Sequence, residues 1–406
     1  MKLPTILVLL LSTVFATQSL AQEEIATKWR GPEGNGVYTE TGLLKAWPAS
    51  GPEIIWSYED LGVGYSSPVV VANKVYITGM EGETGYVYAF DKSGHLLWKA
   101  PYGPEFSSSY PGSRSSVTVT GDLLYMLSGK GQLVCMSTDD GSIKWKKELF
   151  RDFDGRNIQW GITETVAVDD KKVYCAPGGR KNNVVALDRF TGDLIWSSAG
   201  KGDVSAHCTP LLIDLPQRKI LVTMMANNIL GLDANTGKLL WSHPQTNQYS
   251  IHANTPIYQQ GAVFCFSGYG KGGVKLQLSD DGSTATKKWF SNTFNSRTGG
   301  AVAVNGYVYG SGDSNREWQC IDWETGQQKY SSREVGNGVV IYADGMLYLY
   351  SQRGELALVK PGANGFEVIS KTKVLRGSGQ HWAHPAIDDG YLYLRHGKAL
   401  LVYKIS

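Results

Sequence analysis

Four of the seven histidines in this chain, His207, His252, His381 and His384, stand a few residues ahead of short apolar runs. Tyr65, Ser66, Arg114, Trp160, Glu164, Asn254, Arg297, Asn337 and Trp382 do the same. Gathered in one place, their guanidinium, imidazole and amide groups could hold a polar anion or a sugar-like ligand, with Trp160 and Trp382 stacking on a flat face. Two or three imidazoles with Glu164 would suit a transition metal, but no HxH or HExxH spacing supports a metal site. No GxSxG elbow or defined triad marks a nucleophile, so no residue is assigned as catalytic. The plain alternative is that Asn, His and Ser at these positions cap strand ends and bond adjacent loops. Which reading applies depends on whether the surrounding elements bring the positions together.

Those elements repeat. Alternating apolar residues run into a Gly-containing turn followed by an aromatic in ALDRFTGDLIW (186–196), GLDANTGKLLW (231–241) and CIDWETGQQKY (320–330), with looser copies ending at Trp98, Trp145, Trp289 and Ile369. A spacing of roughly 40 to 50 residues is that of four-stranded propeller blades. The first repeat supplies strands over 67–72, 74–79, 85–91 and 95–99, and the same order restarts at Ser116, Thr163, Cys208, Asn254, Gly299 and Gly338. The chain then ends on three strands, 383–387, 391–395 and 399–405. The missing outer strand has a donor in PEIIWSY (52–58), whose Trp56 matches the setting of Trp98 or Trp241. The expected fold is therefore all-β: an eight-bladed β-propeller of four-stranded antiparallel blades, closed by an N-terminal strand that completes the last blade. Segments leading into the innermost strands all face one end of the central channel, so Arg114, Trp160, Glu164, His207, His252, Asn254, Arg297, Asn337, Trp382 and His384 become candidate ligand-binding residues at that mouth. Exposed imidazoles there would charge below about pH 6.5 and strengthen any anion binding.

Composition bounds the class. With 406 residues, 42% of them hydrophobic, 48 glycines and 22 tyrosines, the chain can bury a large core made of short strands and turns. Its formal charge of +2 comes from interspersed groups without a basic run, which argues against nucleic acid as a partner. Lys2, the apolar run from Ile6 to Val14 and Ser19-Leu20-Ala21 read as an export signal over 1–21, cleaved near Ala21. A strap segment over 22–51 and a single propeller over 52–406 follow. No transmembrane segment is expected, and the absence of cysteine before Cys135 argues against a lipid anchor; the location is periplasmic or secreted. Cys135, Cys175, Cys208, Cys265 and Cys320 lie singly in different blades and read as core residues, the rival being one cross-blade disulfide. SGYGKGG (267–273) and APGGRKNN (176–183) read as hairpins and not phosphate loops, leaving Tyr269, Lys271 and Arg180 to rim the mouth.

The pattern A-x-D-x-x-T-G-x-x-x-W resembles the tryptophan-docking repeat of pyrroloquinoline-quinone (PQQ) propellers, found in quinoprotein alcohol dehydrogenases and in BamB-like propeller subunits of outer-membrane assembly machinery. WRGPEGNGV (29–37), DLGVGYSSPVV (60–70) and WAHPAIDDGYLYLR (382–395) further resemble exported bacterial PQQ-like propellers. The resemblance implies a binding or scaffold protein whose small-molecule or protein partner docks at the channel mouth or the blade rims. Alternatives are a PQQ-dependent, alcohol dehydrogenase-like oxidoreductase and a carbohydrate- or polymer-binding accessory protein. Quinoproteins resemble one another in an adjacent-cysteine disulfide and a Glu/Asn/Asp calcium site. No two cysteines are adjacent here, so no cofactor is assigned, and PQQ with calcium is disfavoured.

Overall fold

A computed structural model describes residues 26–406 except Ala363; the expected export signal lies outside them. The described strands form eight sheets, and in six of them neighbour order follows chain order throughout. In blade 1, Val69–Val71, Lys74–Glu81, Thr84–Asp91 and Leu96–Pro104 pair antiparallel from the channel outward. Six more blades repeat this, starting at Thr118–Thr120, Ala167–Val168, Leu211–Leu215, Ile257–Gln259, Ala301–Val304 and Gly338–Ala343. The eighth joins Ala386–Asp388, Tyr391–His396 and Ala399–Lys404 to Glu53–Tyr58, which pairs antiparallel as the outermost strand with Trp56 opposite Val402. The N-terminal strand thus closes the ring, as its sequence setting implied. Leu149–Asp152 is the one α-helix among the described residues, and no described helix is long and apolar enough to cross a membrane.

The repeated turn explains why these segments become blades. Asp188, Asp233 and Asp322 each accept two backbone N–H groups from their own turn, closing it tightly. Gly192, Gly237 and Gly326 follow at φ near +70°, a backbone state costly for other residues. A bulge comes next: Trp241 pairs with Gly231 and Leu239 with Leu232, leaving Leu240 as the extra residue. It rotates Trp241 inward, buried at the interface with the next blade. Each indole then donates to a carbonyl in the next blade's turn: Trp196 to Ala234, Trp241 to Gly282, and Trp56 to Lys92 across the closure. Its ring lies against that turn's glycine, so a Cβ on Gly237 would meet Trp196 at 2.5 Å.

A second connection runs near the channel. Backbone N–H groups of Ser67, Ser116 and Thr165 donate to the hydroxyls of Ser116, Thr165 and Thr209, one blade onward each time, and the His384 N–H donates to Ser67. The cysteines are buried and unbonded to one another, so the cross-blade disulfide does not form.

The N-terminal segment crosses the axis of the ring. Thr27 bridges to Val119 on the innermost strand of blade 2, while Val37–Tyr38 pairs parallel with the innermost strand of blade 7. Between them Trp29 donates to Thr209 of blade 4, and the buried Arg30 guanidinium donates to the carbonyls of Ala301 in blade 6 and Val340 in blade 7. Residues 27–38 therefore plug the channel.

Candidate functional site

Above the plug a cavity of about 710 Å³ opens at one mouth of the ring. Arg114, Trp160, His207, Arg297 and Trp382 line it together, although they come from five separate inter-blade loops. A deeper recess of about 130 Å³ shares Arg114, His207 and Trp382, adds His384, and has Trp29 of the plug in its wall. The mouth is thus a blind pocket.

The other candidates are not on its lining. His252 is wholly buried, with Nδ1 2.6 Å from the Ser267 hydroxyl and Nε2 3.3 Å from the Ala226 carbonyl, while Ile251 and Ala253 on either side face the cavity. Glu164 turns into the core between Thr163 and Thr165, both of which line the recess; its Oε1 accepts the Ala176 N–H at 2.6 Å. Alternation along extended backbone causes both misplacements, because neighbouring residues point to opposite sides. Asn254 is a blade connector whose amide donates to the carbonyls of Ser296 and Arg297 and whose Oδ1 accepts from Gly300. Asn337 uses its backbone carbonyl to accept the Gln352 N–H, and His381 stacks on His396 at 3.7 Å. For Asn254 the plain capping alternative is what the geometry shows. Of the hairpin residues, Tyr269 lines the cavity; Lys271 and Arg180 do not.

The electrostatics differ from the expected anion trap. Arg114 donates to the carbonyls of Ser109, Tyr110 and Trp160, which fix its guanidinium as a brace between loops. Arg297 pairs with Asp313 at 3.4 Å and lies over the Tyr269 ring. Burial, followed by the charge of Arg114, pushes His207 down to about 3, and burial holds His252 at about 4. His384 is fixed neutral by geometry: its Nδ1 accepts from Arg30 at 3.1 Å, so the proton sits on Nε2 and donates to the Thr298 carbonyl at 3.0 Å. Burial, chiefly, and the neighbouring guanidinium hold its pKa well below the ordinary value. The imidazoles therefore do not charge near pH 6.5, and the expected strengthening of anion binding there is withdrawn.

Metal chemistry lacks a donor set. His207, His252 and His384 are engaged by Thr163, Ser267 and Arg30, Glu164 faces away, and no group of three or more His, Cys, Asp or Glu among the described residues could hold a metal. Asp313 is the single carboxylate on the cavity lining and is already paired. Calcium beside a quinone would therefore find stacking faces but no ligand cluster.

Sequence reasoning named Trp160, Trp382 and Tyr269 but missed Tyr110, Tyr249 and the amides of Gln248, Gln352 and Gln380. Tyr110 and Tyr249 sit on long loops between an outer strand and the next inner strand, at positive φ or beside it, as do Gln248 and Gln380 on theirs. Loop length was the available signal, since connections longer than a hairpin needs tend to carry function.

The family model described as "Outer membrane protein assembly factor BamB" matches residues 83–332. A curated relative of that name from Kangiella koreensis is 28% identical over 154 residues, which spans 36% of this chain and 36% of the relative. Among solved structures, BamB from Moraxella catarrhalis superposes with a TM-score of 0.61 at 13% identity, covering 87% of this chain and 98% of that one. Quinohemoprotein alcohol dehydrogenase from Comamonas testosteroni gives 0.63 at 15% identity, over 91% and 78%. At such identities the structural likeness is one of fold.

Proposed function

This chain belongs to the family described as outer membrane protein assembly factor BamB, and from that premise we propose that it is an exported, periplasmic or secreted binding and scaffold propeller with a ligand pocket at its plugged mouth. Export rests on the signal over 1–21; the scaffold half rests on relatives named as assembly factors. The observation that carries the pocket is convergence. Five loops deliver Arg114, Trp160, His207, Arg297 and Trp382 to one cavity of about 710 Å³, within the range of about 300–1,000 Å³ usual for small-ligand sites. Tyr110, His207 and Tyr269 on the lining hold positive φ, a state that costs on the order of 1 kcal/mol each and persists where surroundings enforce it.

Oxidation of alcohols with PQQ is not part of this reading. Such chemistry needs a metal to polarise the quinone and a base to take the alcohol proton. Glu164, the acid the sequence placed at the mouth, faces the core. Reconstitution with PQQ and calcium should give no dye reduction with short alcohols or polyvinyl alcohol; turnover that disappears in Asp313→Asn would overturn the assignment. The binding role is tested by mass spectrometry of small molecules released from natively purified protein. A species retained by the native chain and lost in Trp160→Ala and Trp382→Ala supports it. Retention unchanged in both variants places the ligand elsewhere.

A further inference from the structure

We propose that the mouth pocket takes a neutral oligosaccharide of a few sugar units. This rests on the pocket reading above and names its ligand class. Two aromatic clusters face the cavity from different arcs of the ring. On the side of blades 8 and 1, Trp382 packs against Tyr65 and Tyr110 with ring centroids 4.8 and 5.2 Å apart. On the side of blades 3 to 5, Tyr249 packs against Tyr269 at 4.6 Å and Trp160 at 6.1 Å. Each cluster holds its rings in place by mutual contact, so a stacking platform exists without a ligand.

The polar groups between them match hydroxyls better than charges. The side-chain amides of Gln248, Gln352 and Gln380 lie on the lining, and none makes a hydrogen bond among the described residues. An amide offers two donors and an accepting oxygen, which suits vicinal hydroxyls that both give and take protons. The cations are committed elsewhere: Arg114 to three carbonyls, Arg297 to Asp313. An anion would meet little free positive charge, whereas a pyranose can lay its C–H face on an indole and turn its hydroxyls to the amides. The plug makes the pocket end-closed, and its volume exceeds what one sugar ring needs.

The test titrates residues 22–406 with cellotetraose, maltotetraose, xylotetraose and chitotetraose, following tryptophan fluorescence and heat, beside citrate and PQQ as anionic probes. At least one tetrasaccharide should bind saturably at about 10 mM or below, with an affinity that changes less than threefold between about pH 5 and 8 because no pocket imidazole titrates there. Trp160→Ala and Trp382→Ala should each weaken binding about tenfold. Gln380→Ala, on the exposed rim, should weaken it with an unchanged melting temperature, which keeps the test decisive if a tryptophan variant misfolds. Binding of citrate or PQQ but of no tetrasaccharide overturns the saccharide assignment and leaves the pocket reading standing. Absence of binding by either set overturns both. Saccharide binding indifferent to all three substitutions sinks the assignment by moving the site.

Discussion

At the scale of single residues, the decisive features are two ionisable groups taken out of water. Glu164 is buried with Oε2 lacking any hydrogen-bond partner, and burial raises its pKa to about 8 against one opposing backbone hydrogen bond from Ala176. A carboxyl whose folded pKa exceeds its unfolded value contributes stability that is fully present below about pH 4.5 and is lost as pH rises through about 8. Thermal stability should therefore fall across that window, by at most on the order of 1.4 kcal/mol per pH unit, and Glu164→Gln should flatten the slope. A slope identical in both proteins would show that Glu164 is solvated. Arg30 is the second group; burial lowers its pKa to about 10, still charged at neutral pH, and it holds carbonyls from two blades together with the His384 ring. Arg30→Met should cost about 3 kcal/mol or more by orphaning those acceptors, read as a lower denaturation midpoint. How much of the site could be read in advance is a matter of parity. The repeat placed Arg114, His207, Arg297 and Trp382 near the mouth, but whether position 163 or 164, or 252 or 253, faces the cavity depends on a one-residue register that apolar patterning outside the strands does not encode.

Among the elements, the Gly-containing turn links local sequence to blade packing, and two demands fall on its glycine. Positive φ is one; the indole of the preceding blade lying against the Cα is the other. Gly237 and Gly345 separate them, since both hold positive φ, at 73° and 81°, yet a Cβ on Gly237 meets Trp196 whereas one on Gly345 meets nothing within 4 Å. Gly345→Ala should cost about 1 kcal/mol for backbone strain alone, and Gly237→Ala clearly more, because Trp196 must also move and lose its bond to Ala234. Equal losses in chemical denaturation would mean that the indole contact contributes little. The turns were legible because Asp, Thr, Gly and Trp each do a local job at fixed spacing. The strap over 22–51 was legible as a segment, but how residues 27–38 seat in the channel was not, since they lack periodicity and take their conformation from carbonyls and hydroxyls supplied by distant blades.

For the whole molecule, closure joins Glu53–Tyr58 to Ala399–Lys404 in one sheet, far apart though they are in the chain. Deleting residues 52–58 would expose the edge of Ala399–Lys404 and remove Trp56 from its contacts with Phe90 and Tyr393. A loss of several kcal/mol is expected, with self-association through the open edge visible by light scattering. A truncation that melts within a degree or two of the intact protein and stays monomeric would show that the latch is dispensable. The same latch constrains time as well as stability. Among the described blade strands Glu53–Tyr58 comes first in the chain and Ala399–Lys404 comes last, so no chain made only part-way through its blades can complete the circle. Long-range pairing of this kind is slow to find, although joining distant ends adds only a slowly growing entropic cost. A chain released early would remain an open arc with an unpaired first strand and an unpaired edge, exposed to proteases and to other copies of itself, whereas a finished chain gains its full resistance in one late step.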